Sequence, residues 1–117
     1  MKNCIARINN FPGRASIIKA DSIEASKQFD DGSLDFVYLD ADHSYAGCMR
    51  DLHAWYPKLR VGGAMSGHDF IDGDVHATQF GVKTAVLEFI RELSPTIYVT
   101  TEYLKSFWFI KNRGGVI

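Results

Sequence analysis

Apolar positions alternate along this chain between helical and extended spacing. Residues 3–11 place Cys4, Ile5, Ile8 and Phe11 at helix-like intervals and stop at Pro12-Gly13. A short β-branched stretch over residues 15–20 predicts a strand. Asp21-Ser22-Ile23-Glu24 has the chemistry of a capped helix start, continuing to Phe29, and Asp30-Asp31-Gly32-Ser33 is a turn. Residues 34–39 are apolar apart from Asp35 and show no in–out alternation, as in a strand covered on both faces.

That run stops at Asp40-Ala41-Asp42-His43-Ser44. Ser44 suits an N-cap, and the helix it opens would bury Tyr45, Met49, Leu52, Trp55, Tyr56 and Leu59, with Pro57 near its end. Arg60-Val61-Gly62-Gly63 predicts a turn into a strand over residues 64–66, followed by Gly67-His68-Asp69. A polar loop over residues 69–79 leads to a helix over 80–93, with Val82, Ala85, Val86, Phe89, Ile90 and Leu93 on one stripe. After Ser94-Pro95 come two β-rich segments, 96–101 and 107–111, too close together for a parallel crossover. The order α, β, α, β, α, β, α, β, β predicts an α/β fold, a three-layer, mostly parallel sheet ending in an antiparallel strand.

Composition narrows the function classes. A chain of 117 residues with 46% hydrophobic content is one domain with room for a core. Thirteen basic against fourteen acidic residues, net charge -1, create no cationic field, so neither nucleic acid nor a membrane surface is an expected partner. No apolar run approaches a membrane span. Cys4 and Cys48 lack metal or disulfide spacing and fit a reducing, cytoplasmic setting.

In open parallel sheets ligands bind beyond the carboxyl ends of the strands. Two strands here end in polar clusters, Asp40, Asp42 and His43 after one and His68-Asp69 after the other. A right-handed crossover through the intervening helix would make them neighbours, converging within roughly 10 Å. They would then share a metal ion or a substrate. Asp42 is as well explained by capping the next helix, and His68-Asp69 alone by a turn. As a residue type, the imidazole of His43 suits a general base near neutral pH. His53, beside Arg50 and Asp51, fits a solvated helix face; His76 falls in a loop, and is neutral to function or part of a lid. Gly62-Gly63 lies in no GxGxxG pattern and reads as a tight turn.

The segments from Leu34 through Asp40-Ala41-Asp42-His43-Ser44-Tyr45, then Trp55-Tyr56-Pro57-Lys58-Leu59, Gly62-Gly63 and Gly67-His68-Asp69, together resemble class I S-adenosylmethionine-dependent methyltransferases of the small-molecule O-methyltransferase-like branch. Val82-Lys83-Thr84-Ala85-Val86 and Ser106-Phe107-Trp108-Phe109-Ile110-Lys111 resemble that family's next helix and final antiparallel strand. The likeness covers roughly residues 15–112 and implies a Rossmann-like sheet. It implies S-adenosylmethionine as cofactor, with Asp21, Ser22 and Asp40 near it, and magnesium at Asp40, His68 and Asp69. It implies His43 as general base. His68 departs from the usual carboxylate, which suits magnesium less well.

The family's glycine-rich first loop and the acidic residue ending its second strand have no counterpart, so the chain resembles the C-terminal two-thirds of the fold, truncated at the N-terminus. Losing those contacts would weaken cofactor binding, and losing the first strand would open an apolar sheet edge. Residues 15–20 could slide across to pair with that edge, or a complementing chain could cover it, but the expected remedy is a homo-oligomer joined edge to edge. Three activities compete. Methyl transfer to a small-molecule hydroxyl leads, ahead of a non-catalytic remnant or assembly module and of metal-assisted hydrolysis.

Overall fold

The computed structural model describes residues 13–40, 42–75 and 78–112. The helix expected over 3–11, with Cys4, and the loop histidine His76 lie outside these residues. Asp21 caps α1 (Ser22–Ser26), its carboxylate accepting from the Ile23 amide at 3.1 Å, as the sequence predicts. The strand expected over 15–20 does not form. Extended propensity needs a ladder partner to become a strand, and these mostly exposed residues have none.

β1 (Leu34–Leu39) falls on the expected residues. Ser44 caps α2 (Tyr45–Trp55) by accepting from the Gly47 amide at 3.1 Å. A 3-10 turn, Tyr56–Lys58, carries Pro57 and leads straight into β2 (Leu59–Gly67). β2 is longer than predicted, because Arg60-Val61-Gly62-Gly63 forms an irregularity inside the strand. Pairing with β1 slips from Leu34↔Leu59 to Phe36↔Ala64, and Gly62 takes φ +86° there.

The supposed polar loop contains a hairpin, β3 (Asp72–Val75) and β4 (Thr78–Gly81). It is followed by α3 (Val82–Phe89), which stops short of the predicted end. The closing pair, β5 (Tyr98–Val99) and β6 (Phe107–Ile110), is antiparallel as expected.

The main sheet has the order β1-β2-β6-β5. β1, β2 and β5 run one way and β6 runs against them, so the last strand of the chain is inserted between β2 and β5 rather than added at the rim. Alternation along the strands gives the sheet two unlike faces. Val37, Met65, Phe107 and Phe109 point to one face and form the core with Leu52 and Tyr56, and with Val82, Val86 and Phe89 of α3. α1 leans on α2, Trp55 Nε1 donating to Ser22 Oγ at 2.8 Å.

The opposite face carries Phe36 (58% exposed), Tyr38 (47%) and Trp108 (41%), with Tyr98 stacked on Trp108. The α/β, Rossmann-like class stands, but among the described residues the helices cover one face. The expected third layer is not among them, and β1 is covered on one side. Tyr45, expected in the core, is 43% exposed and donates to the Glu88 carboxylate.

Candidate active site at the strand ends

β1 and β2 are adjacent and parallel, with Leu39 opposite Gly67. Their next residues, Asp40 and His68, therefore leave the sheet side by side, and the His68 amide still donates to Leu39 O at 3.0 Å. His68 Nδ1 lies 3.0 Å from Asp69 Oδ1 and 3.8 Å from Asp40 Oδ1. One ligand atom from each of these residues lies within 4.8 Å of the others. Asp69 adopts φ 59°, a left-handed conformation that aspartate tolerates better than most side chains and that is costly enough to need support from its surroundings. Gly67 permits the approach, since a Cβ there would stand 2.8 Å from Leu39 O and 2.6 Å from the Phe107 ring.

Asp42 and His43 border the same small cleft as Asp40, His68 and Asp69. Asp42 does not itself cap α2; its Oδ1 accepts from the amide of the N-cap residue Ser44 at 2.9 Å, which holds its carboxyl below the usual range. Gly47 leaves room for that side chain, because a Cβ there would collide with it. The His43 ring stacks on Phe80, centroids 4.2 Å apart and planes 15° from parallel. Its Nδ1 is buried and has no hydrogen-bond partner among the described residues.

Two further side chains of the cleft, Cys48 and Asp51, come from the inner face of α2. Burial pushes the Cys48 thiol up to about 12, so it stays protonated and is no nucleophile. His53 lies on the exposed face of α2 as expected, but its neighbour Asp51 is 6% exposed, and burial raises its pKa above 3.8.

Of the residues expected at the cofactor, Ser22 and Asp40 line one groove of about 410 Å³ along the outer edge of β1, with Phe36, Tyr38 and Trp55. Asp21 spends its carboxylate on the α1 cap beside that groove, and Ser22 Oγ is engaged by Trp55.

With this geometry in place, similarity to known proteins decides the family. The profile of a methyltransferase-domain family matches residues 2–70. The chain belongs to that family. No curated protein matches this methyltransferase domain.

Among solved structures, a protein of Corynebacterium glutamicum superposes with TM-score 0.67 at 18% identity, over 99% of this chain and 56% of its own. An O-methyltransferase family protein from Burkholderia thailandensis gives 0.69 at 10% identity, over 97% and 41%. A precorrin 8W decarboxylase of Methanobacterium thermoautotrophicum gives 0.61 at 13%, over 92% and 61%. At such identities these likenesses establish the fold, which here also carries a decarboxylase. The methyltransferase domain spans between about two-fifths and three-fifths of the length of these structures.

Sequence reasoning about this methyltransferase domain missed Asp51, Cys48 and Phe80. For the first two a signal was present. Cys48, Asp51, Leu52 and Trp55 fall at helical spacing on the stripe that reaches the core. Phe80 gave no such signal, because its role depends on a hairpin folding back over residue 43. No described helix is long and apolar enough to cross a membrane.

Proposed function

We propose that this domain transfers a methyl group from S-adenosylmethionine to the hydroxyl of a small molecule in the cytoplasm, aided by a divalent ion. The observation that carries the proposal is the convergence of Asp40, His68 and Asp69 beside His43 on one cleft, in a chain of the methyltransferase-domain family. The buried free Cys48 fits the reducing compartment.

Two carboxylates and an imidazole with ligand atoms this close fit a divalent cation, and the nitrogen donor favours manganese over magnesium. Asp40, His68 and Asp69 would hold the ion. Ser22 and Asp40 would border the cofactor in the β1 groove. When bound, the cofactor supplies a methyl carbon on a sulfonium sulfur, and the cation supplies positive charge that acidifies a hydroxyl. His43 takes the hydroxyl proton. Burial of Nδ1 leaves Nε2 as the nitrogen to receive it. Asp40 and His68 follow directly on the paired ends of β1 and β2, so the alignment of the ion's ligands is built into the sheet.

Calorimetric titration of manganese, magnesium and S-adenosylhomocysteine into the native chain and Asp40→Asn tests this. The expected result is manganese binding that weakens at least about tenfold in Asp40→Asn, with cofactor-product binding in the native chain. Absence of heat with all three would overturn the proposal.

One observation favours a second reading, a methyltransferase fold serving assembly without cofactor. Among the described residues the outer edge of β1 has no partner strand, and the apolar face beside it is open. A second copy of the chain, or a complementing polypeptide, at that edge would satisfy both features. Asp40→Asn separates the readings, since it removes transfer under the first and leaves assembly intact under the second.

A further inference from the structure

We propose that Phe80 is a positioning residue for His43, and that the β3–β4 hairpin acts as the clamp that holds the base in plane; this rests on His43 being the general base. A catalytic imidazole is commonly oriented by a hydrogen bond at the nitrogen that does not react. Among the described residues His43 has no such bond, for its Nδ1 is buried and finds no partner there. Something else must fix the ring.

Phe80 and Gly81, consecutive residues at the end of β4, act on His43 at two points. The Gly81 amide donates to His43 O at 2.9 Å, and the Phe80 ring lies against the imidazole at 4.2 Å and 15°. One hairpin end thus grips both the main chain and the ring. A near-parallel stack covers a face of the imidazole and leaves the Nε2 edge clear of the Phe80 ring.

The hairpin is itself anchored. Asp72 of β3 accepts from Thr84 N at 3.0 Å and from Thr84 Oγ1 at 2.7 Å, tying the hairpin to the first turn of α3. Gly81 approaches α2 so closely that a Cβ would stand 2.7 Å from Tyr45 N. The end of β4 that carries Phe80 is therefore held by α2, α3 and β3 together.

The test compares Phe80→Met, which keeps apolar bulk without a ring, with Phe80→Trp, which keeps a ring. Two readouts are used: the ring-proton NMR signals of His43, assigned through His43→Gln, and transfer of labelled methyl groups to catechol as a hydroxyl probe. Loss of the upfield ring shift in Phe80→Met, with kcat falling about tenfold to a hundredfold at nearly unchanged KM and both restored in Phe80→Trp, is the expected result. His43 signals and kcat unchanged in Phe80→Met would overturn the proposal. If the native chain methylates nothing, the proposed function is what fails, and the NMR signals alone still decide whether Phe80 orders the ring. Phe80→Met remaining folded, with an ordered His43 ring, would then count against the clamp.

Discussion

The ammonium group of Lys111 lies 4.6 Å from the centre of the Tyr56 ring and donates to Tyr56 O at 3.1 Å and Leu59 O at 2.8 Å. Lys111 is 4% exposed, and burial lowers its pKa. Its own amide and carbonyl pair with Gly63 and Gly62, so the residue after β6 secures the corner where α2 turns into β2. Lys111→Met should remove the ammonium donor from both carbonyls, leaving Tyr56 O with the Leu59 amide, and destabilise the chain by about 1–3 kcal/mol. Urea unfolding checks this; a loss under about 0.5 kcal/mol would mean that water serves those carbonyls equally well.

Gly67→Ala should damage fold and site together. The new methyl group would press on Leu39 O and on the Phe107 ring, both part of the packed sheet. Overpacking of this kind costs about 1–3 kcal/mol, and any strand separation moves Asp40 away from His68. Thermal unfolding and manganese titration should fall together, and a variant with native stability would refute the close approach.

Asp51→Asn should stabilise the protein at neutral pH. Burial raises the folded-state pKa of this carboxyl above 3.8, so the folded chain holds the proton more tightly than the unfolded one. The stability contributed by that proton is fully present below the unfolded value, about 3.9, and is lost as pH rises through the raised folded value. Asparagine carries no charge to bury. Its advantage should therefore be present at pH 7 and fade as the pH is lowered towards 4, as measured by denaturant titrations across that range. An advantage independent of pH would rule out burial of the charge as its cause.

The open sheet face should govern association. Phe36 and Ile110 lie on it at 58% and 36% exposure, in line with Ala64 between them. The pair Phe36→Lys and Ile110→Lys should weaken self-association by about tenfold or more while changing monomer stability little, because both positions face solvent. Light scattering over a concentration series measures this. A native chain that stays monomeric at micromolar concentration would remove the homo-oligomer from consideration.

Where local chemistry suffices, the sequence was a good guide. Asp21 and Ser44 cap the helices they were expected to cap, and residues 34–39 form the expected strand. The proximity of Asp40 to His68-Asp69 followed from strand adjacency alone. Other assignments failed because they needed a partner distant in sequence. Residues 15–20 have extended propensity but no ladder beside them. His53 is exposed, as expected, while its neighbour Asp51 is turned inward beside Cys48, which its place in the sequence did not announce.

By itself the sequence determined the α/β class, the caps at Asp21 and Ser44, the strand over residues 34–39 and the two polar clusters at strand ends, because periodicity, capping and turn chemistry act over a few residues. Only the tertiary structure decided which face of the sheet is covered, that β6 lies inside the sheet, and that a hairpin brings Phe80 onto His43. Those outcomes depend on contacts between segments distant along the chain, which no short window of residues encodes.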